Sequence, residues 1–174
     1  MYPTSVSYYD NEGQFDLDDL IRSVMCRHGG EQVERAHCAD CGRQEFAFDL
    51  PDEGSRSAAW GELMQAVAGD FASAELSCLH EPDNDPTTEL LIRFNPAQPW
   101  IPREIASLLT EDVCSGWGHL GGEEHAISVW CRSPQAARFL MWQIQRGPLQ
   151  PFVQASLTDE EDAGCDGCQS YRIR

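Results

Sequence analysis

Two Cys-x-x-Cys turns lie near opposite ends of this chain: Cys38-Ala-Asp-Cys41, with Gly42 behind it, and Cys165-Asp-Gly-Cys168. Each leads straight into a strand-like run, and together they supply four thiolates, the ligand set of a closed tetrahedral zinc site. A metal shared by both turns would tie the two ends of the chain around everything between them. Four thiolates leave no open position for water, so the zinc expected here is structural and not hydrolytic.

That inference needs reduced thiols. Met1 opens onto Tyr-Pro-Thr-Ser-Val-Ser-Tyr-Tyr-Asp, without a basic n-region or an apolar h-region, so no signal peptide is expected. No stretch approaches the ~20 apolar residues that span a bilayer. The eight Cys are therefore read as reduced thiols of a cytoplasmic protein, where such paired turns mean metal more often than disulfide.

The charge balance is extreme. There are 29 acids against 12 bases, a net charge of −17, and every base is Arg. The absence of Lys excludes Schiff-base, P-loop and lysine-base chemistry. A negative field of this size repels nucleic-acid phosphate and anionic lipid and attracts cationic partners. Solubility or adaptation to high salt would produce the same composition.

At 174 residues, 41% of them hydrophobic, the chain can bury a proper core. Asp16 or Asp18 can cap a helix carrying Leu17, Leu20, Ile21, Val24 and Met25 on one face and ending before Gly29-Gly30. Gln32 to Ala36 form a short strand, and Phe46, Phe48 and Leu50 alternate on a half-buried one ended by Pro51. Ser55 or Ser57 caps a helix with Trp60, Leu63, Met64 and Val67, closed by Gly69. Ala74 to Leu79 and Glu89 to Phe94 read as strands joined in a hairpin by the acidic loop 81–86. Pro102 sits in the first turn of a helix with Ile105, Leu108 and Leu109. Residues 115–122 read as a Gly-rich loop, followed by a strand at Ala126 to Cys131. Ser133-Pro134 starts a helix, Phe152 to Leu157 form a last central strand, and Gln169 to Ile173 a terminal one.

From residue 45 to 131 this order is β-α-β-β-α-β, the ferredoxin-like arrangement of an antiparallel sheet with helices, followed by an extra α-β pair. The expected class is α+β. Residues 1–30 are an acidic N-terminal segment with a helix, and residues 31–174 a single domain closed by the 38–41 and 165–168 turns. The sequence shows no internal repeat, heptad or long low-complexity tract.

The paired turns resemble a zinc ribbon, a resemblance confined to about residues 36–50 and 163–174, with a whole domain inserted between them. It implies Zn²⁺ held by Cys38, Cys41, Cys165 and Cys168. A second metal site is conceivable from the Cys-x-His pairs Cys26/His28 and Cys78/His80, and His37, beside Cys38, could replace a thiolate; the plainer reading of Cys78, Cys114 and Cys131 is buried core thiols. Neither Cys-x-x-Cys begins a helix after a parallel strand, so redox chemistry ranks low.

The segment Gly116 to His125 collects the candidates for catalysis, His119, Glu123 and His125, beside Trp117, which could stack a ligand. It matches no phosphate-binding fingerprint, and no nucleophile, deaminase, metalloprotease or kinase motif occurs in the chain. Arg138, Trp142 and Arg146 would suit a nucleic-acid face, but two Arg do not outweigh the net charge. The expected function is a zinc-stabilised acidic protein-interaction module that binds a basic protein, an inhibitor or DNA mimic being one form of it. The alternatives are a small enzyme using the 115–125 segment and a structural or regulatory subunit of a larger assembly. No direct nucleic-acid binding and no membrane association are expected.

Overall fold

A computed structural model describes residues 1–9, 17–80, 88–95, 97–121 and 125–158. The elements run β1 (Tyr2–Tyr9), α1 (Leu17–Arg27), β2 (Glu31–His37), β3 (Arg43–Leu50), α2 (Glu53–Gly69) and β4 (Leu76–Leu79). They continue with β5 (Thr88–Phe94), α3 (Trp100–Leu108), β6 (Cys114–Leu120), β7 (Ala126–Cys131), α4 (Pro134–Arg146) and β8 (Val153–Thr158).

The chain is thus β-α-β-β-α-β twice over. All eight strands form one antiparallel sheet in the order β2-β3-β1-β4-β6-β7-β5-β8. Within each half the spatial order is second, third, first, fourth, so the two halves share one split-βαβ topology without any sequence repeat. The antiparallel α+β class stands, but the expected frame is offset by half a unit. The expected unit, 45–131, joins the end of one half to most of the next. Two unrecognised strands, β1 and β6, cause the offset.

β1 also revises the view of residues 1–30 as a separate segment, because it pairs with β3 on one side and β4 on the other. The expected hairpin between β4 and β5 does not form: β4 pairs with β1 and β6, and β5 with β7 and β8. β8 is not central but lies at the sheet edge. Asp16, the loop 81–86 and the expected strand 169–173 lie outside the described residues.

The strand register separates two faces, since directly opposed residues point to the same side. Phe46, Val6, Cys78, Trp117 and Val129 follow one another across five strands on the first face. They belong to a single core cluster with Leu17, Ile21 and Met25 of α1, Trp60 and Leu63 of α2, Ile101 and Ile105 of α3, and Leu140 and Ile144 of α4. All four helices therefore cover one face, and no described helix covers the other.

Local chemistry explains the elements. α1 buries the apolar stripe its spacing predicts, Leu17, Ile21, Val24 and Met25. α2 is capped by Asp52, whose carboxylate accepts the Ser55 N–H at 2.7 Å, and not by Ser55 or Ser57. That hydrogen bond, seconded by the Ser55 side chain, holds the Asp52 carboxyl below its usual range. α4 begins as its sequence indicates, with Ser133 Oγ accepting from the Ala136 N–H at 3.1 Å.

The two halves meet at the β4–β6 seam, and Gly116 makes that meeting possible. A Cβ built on Gly116 would stand 2.4 Å from the Cys78 carbonyl oxygen and 2.6 Å from Leu79 Cδ2. A backbone carbonyl in a ladder cannot step aside, so Gly116→Ala should lower stability by about 2 kcal/mol, in the range of overpacked sites. Gly69→Ala meets nothing within 4 Å and is the control, expected to match or exceed wild type. Chemical denaturation of the two variants checks the contrast.

Candidate functional site

The first Cys-x-x-Cys is the turn between β2 and β3. The Cys38 N–H donates to the Arg43 carbonyl at 2.8 Å and the Gly42 N–H to the Cys38 carbonyl at 2.9 Å. Gly42 has φ +73°, in the left-handed region that glycine enters freely. Cys38 is buried and Cys41 half-buried. A tight Cys-x-x-Cys turn of this kind fits half of a tetrahedral thiolate site. Cys165 and Cys168 lie outside the described residues. Among the described residues, no group of three or more His, Cys, Asp or Glu is placed to hold a metal ion.

The possible second site from Cys26, His28, Cys78 and His80 is accordingly not assembled. Cys26 is exposed on α1. His28 Nε2 lies 2.9 Å from Glu62 Oε2, while Cys78 and His80 are buried in the core. Burial works against the Glu62 carboxylate, but the His28 hydrogen bond and the Arg27 charge outweigh it and hold its pKa below the usual value.

The Gly-rich segment is not a loop. Cys114–Leu120 form β6, a strand with neighbours on both sides. Trp117 is fully buried and His119 nearly so, on the helix-covered face, where His119 Nδ1 lies 2.8 Å from the Ala74 carbonyl. Burial, partly countered by that hydrogen bond, lowers the His119 pKa. A histidine in this setting has no access to substrate, which removes it as a surface acid or base. His125 is half-buried just before β7, and Glu123 lies outside the described residues.

The structure assembles a polar cluster that spacing does not reveal. Arg56 of α2 is 1% exposed and stands over the rings of Tyr2 and Trp60, at 5.2 and 5.9 Å from guanidinium carbon to centroid. Its Nη2 lies 2.8 Å from Glu111 Oε1, a contact too poorly aligned to count as a hydrogen bond. Trp60 packs on His80 with centroids 4.4 Å apart and meets Trp117 edge-on at 6.0 Å. His80 Nε2 is 3.7 Å from Cys114 Sγ.

A Cys–His pair at that distance invites comparison with a nucleophilic dyad. Its electrostatics are the reverse of what a dyad needs. Burial, then the charges of Arg56 and Arg132, push the His80 pKa down to about 3. Burial, joined by the neighbouring Cys131 thiol, pushes the Cys114 thiol far up, and burial takes Cys131 to about 11. The pair stays imidazole and thiol, not imidazolium and thiolate, at any ordinary pH. It is a packing element.

The surface with functional character is the face no described helix covers. On its β2–β3 flank, the register places Glu31 beside Asp49, Glu34 beside Ala47 and Ala36 beside Glu45. Glu45 Oε1 accepts from Ser5 Oγ at 2.8 Å, and Arg43 Nη2 donates to Ser7 Oγ at 3.1 Å. The centre is uncharged, with the buried Ser5 and Ser7 of β1 and Gly116 and Gly118 of β6, and the half-buried Ser77 and Leu79 of β4 between them. The half-buried Trp130 stands against Gly118, where an added Cβ would come 3.2 Å from the indole. The face therefore has an uncharged centre and an acidic flank.

No protein-family model and no curated protein matches the sequence. The fold is similar at a TM-score of 0.30 and 9% identity to the crystal structure of the N-terminal three RNA-binding domains of the yeast splicing factor Prp24; the match covers 91% of this chain and 67% of that one. Among the described residues, no helix is long and apolar enough to cross a membrane.

The neutral His80 gives a pH signature. An unfolded His binds a proton below about pH 6.5, whereas folded His80 does not until about pH 3. Its contribution is thus complete above pH 6.5 and declines as pH falls through that window. The steepest slope is about 1.4 kcal/mol per pH unit. The His80→Asn variant should lose less stability than wild type between pH 6.5 and 5, as read by urea unfolding at each pH.

Proposed function

We propose that this chain is a zinc-stabilised, acidic protein-interaction module without enzymatic activity, whose sheet face opposite the described helices engages a basic protein. The observation that carries the reading is the distribution of charge on that face. Glu31, Glu34, Glu45 and Asp49 occupy neighbouring register positions on β2 and β3, with Arg43 the base among them. A row of carboxylates on a stiff sheet offers a cationic surface a repeating set of anions, much as nucleic-acid phosphates do. An inhibitor that occupies a nucleic-acid-binding cleft is one role suited to such a surface. The inertness of the His80–Cys114 pair and the burial of His119 support the non-enzymatic part.

In this reading Zn²⁺ is held by Cys38 and Cys41 from the β2–β3 turn with Cys165 and Cys168, and it serves the fold. A four-thiolate zinc contributes folding free energy and supplies no reactive water. Its place at the β2–β3 turn means it would stiffen the strands that carry the acidic flank.

Two experiments test these parts separately. Elemental analysis should find one zinc per chain, and Cys38→Ser should lose the metal and unfold at a markedly lower temperature; a metal-free wild type overturns the zinc assignment. The immobilised protein should retain basic proteins from host extract and release them as salt rises past about 0.2 M, where exposed charges are screened. Glu31→Lys/Glu34→Lys should abolish that retention, and capture indifferent to both salt and charge reversal refutes the acidic-face reading.

A further inference from the structure

The two edges of the sheet are built differently. β2, at one edge, is exposed at all seven positions, carries Glu31, Glu34 and Arg35, and is bulged against β3 between Gln32 and Glu34. Charge and a bulge are the usual protections against another strand pairing on an open edge. β8, at the other edge, has neither. Its sequence Val-Gln-Ala-Ser-Leu-Thr is uncharged and free of Pro, and it pairs with β5 in unbroken register over six residues. Among the described residues, nothing pairs with its outer side.

The surroundings of β8 are equally distinct. Residues 126–158 contain three Arg and no Asp or Glu, in a chain with 29 acids. Glu89 of β5, paired opposite Thr158, accepts hydrogen bonds from Ser128 Oγ and Thr158 Oγ1, and Asp159-Glu160-Glu161-Asp162 follow the strand in sequence. α4 packs on β8 and carries Phe139 and Trp142, each half-exposed and stacked at 6.1 Å, with Arg146 5.1 Å from the Trp142 centroid. Leu157, at the strand itself, is 48% exposed on the helix-covered side. Exposed aromatic and aliphatic side chains beside an unprotected strand mark an interface.

We propose that the β8–α4 edge is the contact between two copies of this chain. Two molecules of net charge −17 repel one another, and within residues 126–158 no carboxylate adds to that repulsion. An acidic partner would also meet the Arg side chains, but an antiparallel strand is its own complement under a two-fold axis. The register follows from the pleat. Keeping the helices of both copies on the same side requires like faces to pair, and an axis on Ala155 pairs Val153 to Leu157 of each copy. Val153 then stands opposite Leu157 of the second copy, covering the exposed leucine, and Gln154 stands opposite the second copy's Ser156.

Sedimentation equilibrium of the intact protein up to about 500 µM should show a reversible monomer–dimer equilibrium. Added salt should strengthen the dimer by screening the repulsion, the opposite of its effect on a basic partner. Q154E/S156E sets like charges directly opposite one another twice and should weaken the dimer at least about tenfold. Q154K/S156E sets opposite charges there and should restore it. These side chains are exposed, so melting temperatures should not move. A chain that stays monomeric, a dimer indifferent to Q154E/S156E, or a Q154K/S156E chain no tighter than Q154E/S156E each overturns the proposal; an acidic peptide binding the monomer at α4 would assign the edge to that partner instead.

Discussion

The close approach of β4 and β6 is the contact on which the rest of this structure depends. Each half on its own is a four-stranded sheet with two helices, and small sheets of that size bury limited apolar surface. Joining them edge to edge converts two would-be edges into a ladder, Leu76 to His119 through Leu79 to Gly116. Trp117 can then sit beneath α2 of the first half although it belongs to the second. Gly116 is what the ladder costs. A residue with no side chain in a central strand gives up packing so that two backbones can meet.

Behind that seam the core holds groups a core normally avoids. Arg56, His80 and His119 are each about 1% exposed, and Arg56 Nη1, Trp60 Nε1, Trp117 Nε1 and His80 Nδ1 have no hydrogen-bond partner among the described residues. Buried donors without acceptors cost free energy, so the surrounding aromatic packing must offset them. The cation–π contacts of Arg56 with Tyr2 and Trp60 are part of that offset, and Glu111 supplies the opposite charge. The same burial that suppresses chemistry at His80 and Cys114 ties the two halves through side chains of α2, β4 and β6.

What could be read from residues alone follows the physics of periodicity. Helices α1, α2 and α4 and strand β3 carry clean 3.6- or 2-residue patterns and fall where expected. β1 and β6 were missed for opposite reasons. β1 is rich in Ser, Thr and Tyr, polar enough to pass for a tail, yet five of its eight residues are buried. β6 has Gly at two positions, which reads as a loop until close backbone approach is known to require Gly116. The doubled topology stayed hidden because it repeats in strand order and not in sequence. Arg56 could not have been singled out, since a helical Arg beside Ser carries no mark of burial. The Cys38 turn was legible because ligand spacing is a local property; its expected partners lie outside the described residues.

The charge of the molecule acquires meaning only from the topology. Net charge alone speaks to solubility and to the sign of a partner, and it says nothing of where contact occurs. The strand order separates β2 and β8 to opposite edges of one sheet. The acids of β2 and β3 collect on one flank, and the acid-free 126–158 segment forms the other end. Because the halves are joined head to tail, the two edges are not equivalent positions: one is the second strand of its half, charged and bulged, and the other is the fourth strand of its half, neutral and straight. The asymmetry lies in topology and in side chains alike. Under the two proposals a cationic surface and an uncharged strand would meet different ends of the same sheet, and rising salt would work in opposite directions at the two.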